Sequence, residues 1–304
     1  AELMWQDDLG AGVQMALFDA VGKTLHVPIY RLLGGAKVRE WCPISWFAME
    51  MPPADWARQC QDALDQGYIS CKLKARTWQD LHAGLQAIFA VVPPQFLLTL
   101  DFNGTLWNSA QAVQFLKTLE QYEQVAIIES PIPQADVAGN AYIRQRINRP
   151  VAMHYGSPPI ETALHADVCD GFVLGAGAAG LMQQAHVLEA AHKPFWLQLV
   201  GSGVTTAWVA HFAAVLSGAT WPADTDMHMW ESQLIKPPLE VRGGYYRVPE
   251  GPGLGIEIDQ DALERYRVDY TFLAPPTHIY RYRRANGETT YYGCGKQALH
   301  QIYP

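Results

Sequence analysis

Four apolar strands in this sequence each lead to a polar residue, and those residues recur at nearly equal steps. Residues 68–76 (YISCKLKAR) carry Lys74. The run at 96–100 ends in Asp101, the run at 125–128 in Glu129, and the run at 150–153 in His154. The steps are 27, 28 and 25 positions. One strand, one helix and two loops occupy roughly that length in an eight-fold parallel barrel of ~250 residues, and equivalent strand ends in such a barrel converge on one mouth.

The segments between these strands support the repeat. Residues 11–25 read as a helix with Val13, Leu17 and Val21 on one stripe, and 41–47 as a short apolar strand. After Pro52–Pro53, Trp56, Cys60, Ala63 and Leu64 fall at helical spacing and Gly67 ends the helix. Thr77 opens a weak T-x-x-D cap before a helical face of Leu81, Leu85, Ile88 and Val92. Ser157 is placed to cap a helix opened by Pro158 and Pro159. Further strand–helix pairs run to about residue 216. From Trp221 the pattern becomes loop-rich, with a hairpin turning at Gly243–Gly244 and Asp259 capping a last short helix. Repeated units with buried-type strands indicate a parallel sheet. An open doubly wound sheet would usually place a Gly-rich turn after its first strand, and none is there.

On the strand at 70–74, Ser70, Lys72 and Lys74 share one face and Cys71 and Leu73 the other. Two adjacent ammonium groups repel, and burying them without partners costs several kcal/mol. They are either a solvated strand end or partners of the downstream carboxylates. Lone strand-end acids commonly cap helices, Asn103 suits the turn in DFNG, and a single His is commonly hydrogen-bonded in place. The joint pattern favours a shared opening. Asp101 and Glu129 are hard oxygen ligands suited to Mg²⁺, and a neighbouring lysine of lowered pKa could take an α-proton.

Bulk properties narrow the function. The chain has 304 residues, 49% hydrophobic, with a net charge of −8 and no basic run with interleaved aromatics, which argues against a general nucleic-acid binder. No apolar run of membrane-spanning length and no signal pattern is present. Five cysteines (Cys42, Cys60, Cys71, Cys169 and Cys294) without paired spacing point to reduced thiols and a cytoplasmic protein.

The sequence also resembles a family, over roughly residues 11 to 267. MALFDAVGKTLHVPIYRLLGG, the Lys72-x-Lys74 pair, DFNG at Asp101, IIESPIP at Glu129 and VPEGPGLGIEID near residue 250 are similar to the enolase superfamily, on its mandelate racemase and muconate lactonizing enzyme side. The resemblance implies a TIM-type α/β barrel in the modified (β/α)₇β form over 1–268, with 269–304 as a C-terminal extension and no N-terminal capping domain in the given chain. It implies abstraction of a proton α to a carboxylate, Mg²⁺ held by three residues on successive strands, and a small carboxylate substrate such as a sugar acid. It also suggests a homo-oligomer. By resemblance, Lys72 and Lys74 are the substrate-facing pair with Lys74 the base, Asn103 is a substrate contact, and Asp101 and Glu129 are the first two metal ligands.

Three positions depart from the family pattern. The third ligand falls in PVAMHYG, where His154 or Tyr155 stands in place of an acid. The sixth strand, GFVLGAGAAG, carries neither Lys nor Asp, and the seventh, PFWLQLVGSG, carries no His. Two functions follow: a dehydratase or racemase/isomerase working from one lysine side, or a binding or regulatory protein on the same scaffold with weakened or lost metal. A Schiff-base lysine aldolase leaves Asp101 and Glu129 without a role.

Overall fold

The computed structural model describes residues 2–268 and, beyond them, only the backbone of Ile279–Arg283 and Thr289–Gly293. The chain divides into two units, Ala1–Ala262 and Leu263–Pro304. The second contains those two strands, paired antiparallel. The rest of the expected C-terminal extension lies outside the described residues.

In the first unit the chain enters through α1 (Ala11–Leu25) and α2 (Ile29–Leu32). The face that α1 buries is Gln14, Met15, Phe18 and Gly22, one position round from the expected stripe; Val13 is 50% exposed. The expected single strand over 41–47 is two. β1 (Trp41–Pro43) pairs antiparallel with Tyr245–Arg247, and β2 (Trp46–Ala48) begins the main sheet. Ile44 and Ser45 between them bridge elsewhere, so one apolar run serves two sheets. Tyr245–Arg247 also pairs with Val241–Arg242 across Gly243–Gly244, both at positive φ, the hairpin expected from the sequence.

Seven strand–helix units then follow. β2 leads to α3 (Pro53–Asp65), β3 (Ser70–Lys74) to α4 (Leu81–Phe89), and β4 (Leu97–Asp101) to α5 (Ser109–Leu119). β5 (Val125–Glu129) leads to α6 (Val137–Arg144), β6 (Val151–His154) to α7 (Ile160–His165), β7 (Gly171–Leu174) to α8 (Ala178–Ala190), and β8 (Phe195–Leu197) to α9 (Gly203–Val215). Neighbours are all parallel and in chain order from β2 to β8.

The sheet closes through a short eighth strand that the loop-rich sequence after Trp221 concealed. Asp224 N–H donates to Leu197 O (3.0 Å) and Leu199 N–H to Asp224 O (3.1 Å). On the other side Ala223 N–H donates to Pro43 O (2.9 Å) and Ser45 N–H to Ala223 O (2.9 Å). The result is the (β/α)₇β barrel.

Strand alternation sorts the core into two layers. Outward side chains such as Cys71, Leu73, Leu100, Met153 and Phe172 join the helices' buried faces in one large cluster. Inward, Ile127, Ala152, Val173 and Trp196 fill the barrel as a separate plug. Two residues beyond Ile127, Ala152 and Trp196 the inward positions are Glu129, His154 and Gln198, and these line the mouth; beyond Val173 the position is Gly175.

Helix caps settle two other expectations. Asp80, not Thr77, caps α4, accepting from Ala83 N–H (3.0 Å). α7 starts after Pro159 with no side-chain cap, so Ser157 does not serve there. Asn108 and Asp136 cap α5 and α6, and Asp259 accepts from Asp261 and Ala262 N–H groups as expected. Among the described residues, no helix is long and apolar enough to cross a membrane.

Candidate active site

Parallel register brings the strand-end residues level. Lys74 is opposite Asp101 on β4, and Asp101 opposite Glu129 on β5. Lys72 stands inside the barrel, above the Trp196 ring (5.4 Å to its centroid), with its side chain only 3% exposed. Its Nζ lies 2.9 Å from Glu129 Oε2, 3.2 Å from Asp224 Oδ2 and 3.9 Å from Asp101 Oδ2, and donates to Gln198 Oε1 at 2.9 Å. A buried ammonium persists only with such partners. Burial pushes its pKa down, but Glu129, Asp224 and Asp101 outweigh that and hold it above the ordinary lysine value.

Lys74 is nearer the opening, its side chain 19% exposed. Its Nζ donates to Asp101 Oδ2 (2.5 Å) and Asn103 Oδ1 (3.2 Å) and lies over the Phe47 ring, 5.6 Å from the centroid. Arg76 backs this arrangement, donating to Asn103 Oδ1 (2.8 Å) and Asp101 O (3.0 Å) while pairing with Glu50 (2.7 Å). Asn103 takes a positive φ of 46°, as the DFNG turn requires, and its N–H donates to Asp101 Oδ1 (2.9 Å). Burial raises the Asp101 pKa, but Lys72 and Lys74 outweigh it and leave the pKa below the ordinary value.

At the end of β6 the inward residue is His154. Its Nε2 lies 3.2 Å from Glu129 Oε1, and its side chain is 44% exposed. Tyr155 turns the other way, its ring 6.3 Å from that of Phe172 in the outer layer. Gln134 bridges the loops beside His154: its Oε1 accepts from His154 N–H (3.1 Å) and Ser130 Oγ–H (2.9 Å). A cleft of about 190 Å³ opens here between Asn103, Ser130, Gln134 and His154. A larger cleft of about 500 Å³, bounded by Gly67, Tyr68, His228 and Arg242, includes none of the site residues.

The structure thus brings Lys72, Lys74, Asp101, Asn103, Glu129 and His154 together at one end of the barrel. It adds Gln198 and Asp224, which the sequence reading missed. Asp226, two residues on, shares Asp224's environment. Burial first, then a hydrogen bond and the negative charge of Asp224, push its pKa up to about 8. One sequence signal was available: Gln198 to Asp224 is 26 positions, continuing the steps between strand ends.

The family described as Enolase C-terminal domain-like matches residues 55–262. The chain belongs to that family. Among the relatives of this enolase-like chain is an o-succinylbenzoate synthase of Geobacillus stearothermophilus, 29% identical over 273 residues, covering 84% of this chain and 69% of the relative. An N-succinylamino acid racemase of Thermus thermophilus is 29% identical over 267 residues, covering 84% of this chain and 70% of that protein. The crystal structure of the N-succinyl Arg/Lys racemase from Bacillus cereus superposes with a TM-score of 0.74 at 25% identity, covering 85% of this chain and 71% of that one.

The resemblance implies Mg²⁺, and the donor set at this enolase-like site can be tested against it. Mg²⁺ demands oxygen ligands in near-octahedral order. The third position supplies an imidazole, which suits other metals better. The Glu129 carboxylate is buried, with Lys72 Nζ 2.9 Å from Oε2 and His154 Nε2 3.2 Å from Oε1. Asp101 Oδ2 already meets both ammonium groups. Like charges about 4 Å apart repel by roughly 4 kcal/mol per unit pair at an effective dielectric of about 20. Among the described residues, no group of three or more His, Cys, Asp or Glu is arranged to hold a metal ion. The donor set does not fit Mg²⁺, and the positive charge at this site is supplied by Lys72 and Lys74.

Proposed function

We propose that this enolase-like protein is a lyase or isomerase, a dehydratase or racemase, that removes the proton α to a substrate carboxylate, with Lys74 as the base. The observation that carries this reading is the contrast between the two lysines. Lys72 is enclosed and fixed as an ammonium, whereas Lys74 stands nearer the opening, hydrogen-bonded to Asn103 in the wall of the cleft.

The chemistry follows from that contrast. A substrate carboxylate is drawn to the paired cationic groups, and Asn103 and His154 line the cleft beside them. Lys74 rests as an ammonium and must first give a proton to water at the opening; the free amine then accepts the α-proton, with Asp101 and Asn103 holding its Nζ in position. The negative charge that develops on the substrate's carboxylate oxygens faces the permanent ammonium of Lys72. Delivery of a proton from water to the face opposite Lys74 gives racemisation; transfer of the captured proton from the Lys74 ammonium to a β-hydroxyl, which then leaves as water, gives dehydration.

The relatives that act on N-succinylamino acids, and the sugar acid that the family resemblance suggests, define the compounds to try. Proton exchange in deuterated water is followed by NMR with N-succinylamino acids and with sugar acids. Exchange at the α-carbon of one class, lost in Lys74→Met, is the expected result. Exchange that survives Lys74→Met removes Lys74 as the base, and no exchange with either class counts against the reaction.

A further inference from the structure

We infer that Lys72 is a built-in cation, taking over the charge-balancing role of a divalent ion, so that this site binds its carboxylate ligand without metal. The inference rests on reading the cluster as the active site, but its test reads metal binding and not turnover.

Three observations converge. The Lys72 ammonium has an oxygen shell of the kind a bound cation would have: Glu129, Asp224, Asp101 and the Gln198 amide oxygen, all within 3.9 Å. Two of those partners, Gln198 and Asp224, come from the wall opposite Asp101 and Glu129. Lys72 is therefore held between both walls and is not simply folded onto two vacant acids. Finally, Lys74 takes the remaining side of Asp101, and His154 stands where another oxygen ligand would be needed. Three carboxylates, Asp101, Glu129 and Asp224, are thus faced by two ammonium groups. A metal bound to the same oxygens would have to displace one of them.

The test is calorimetric titration of Mg²⁺ and of Mn²⁺ into the purified chain, with melting curves in chelator and in excess metal. The unmodified protein is expected to show no saturable binding up to millimolar metal and the same Tm in both conditions. Lys72→Met exposes the carboxylates to one another; it is expected to acquire saturable binding, at least roughly ten-fold tighter, and a Tm that metal raises. His154→Asp, which adds an oxygen ligand but keeps Lys72, is expected to stay metal-free.

Micromolar binding by the unmodified chain overturns the inference. So does Lys72→Met gaining nothing, or His154→Asp alone gaining micromolar affinity, since the third ligand would then be what controls metal. If Lys72→Met folds only when metal is added, the inference is supported. If it folds in neither condition, the titrations of the unmodified chain and His154→Asp decide by the same criteria.

Discussion

Lys72 and Asp224 meet inside the barrel, 3.2 Å apart, one on β3 and the other on the closing strand, with β2 between them. The contact joins the acid-rich wall of Asp101 and Glu129 to the closing seam. It makes one ammonium both the centre of the proposed site and a structural tie.

Removing that tie has a defined cost. Breaking a buried ion cluster by deleting one partner leaves uncompensated charge and costs about 3–5 kcal/mol. Lys72→Met is expected to lose stability of that order in urea unfolding. Lys74→Met, whose partner is shared and whose side chain reaches solvent, is expected to lose about 1 kcal/mol or less. Equal losses for the two would mean that the enclosure of Lys72 has no energetic weight.

Stability should also depend on pH in three windows. Asp226 keeps its proton in the fold up to about 8 but gives it up near 3.8 when unfolded. The folded state binds the extra proton between those values, so this group makes stability fall as pH rises through the window. Asp226→Asn removes that slope, and its stability relative to the unmodified protein is expected to improve from about pH 5 to about pH 9. Asp101, with its lowered pKa, contributes stability that is present above 3.8 and lost as pH falls through its folded value. Lys72 contributes stability that is present below 10.5 and lost only as pH rises beyond that, through its raised folded value. Unfolding curves across the range would show whether Asp226→Asn flattens the middle window alone.

The Gly/Ala-rich segment after β7 owes its composition to Asp7. That carboxylate accepts from Ala179 N–H (3.0 Å) and Gly180 N–H (2.8 Å) at the start of α8, while Gln14 Oε1 accepts from Ala178 N–H (3.0 Å). A Cβ on Gly177 would lie 2.3 Å from Asp7 Oδ1. Asp7→Ala is expected to cost about 1–2 kcal/mol, as loss of a helix N-cap does. Gly177→Ala should destabilise the unmodified chain but be tolerated better in Asp7→Ala, a non-additivity that a double-mutant cycle reads directly.

Gly67 is a second position with no room for a side chain. It has a φ of +86°, and a Cβ there would lie 2.2 Å from the Val241 carbonyl oxygen. Its own carbonyl accepts from Gly244 N–H at 2.7 Å. Gly67→Ala is expected to lower stability by at least about 2 kcal/mol, combining backbone strain with displacement of the hairpin. A melting temperature within a degree or so of the unmodified protein's would refute this.

Much of the barrel was legible because each strand–helix unit carries its own periodicity and each mouth residue follows an apolar run. Lys72, Lys74, Asp101 and Glu129 could be placed on a common rim by counting positions. Ala223 and Asp224 could not be read that way. Their strand is held by backbone bonds to Pro43, Ser45, Leu197 and Leu199, and it has no apolar run of its own. The stripe on α1 was misplaced for a related reason: Gln14 is buried because its amide serves Met4, Asp7 and α8, so a polar residue occupies the buried face and the neighbouring valine does not. His154 and Tyr155 were indistinguishable in sequence, since strand alternation assigns faces only once the register is known.

The ring is sealed where it is thinnest. Two residues of the last strand join three-residue β8 to the stretch ahead of three-residue β2, and the Lys72–Asp224 contact sits at that join. An anionic ligand bound as proposed would compete with Asp224 for the same ammonium. Binding there as proposed is therefore expected to loosen the weld that keeps the cylinder shut, read as faster hydrogen exchange at the backbone amides of Ser45, Ala223, Asp224 and Leu199.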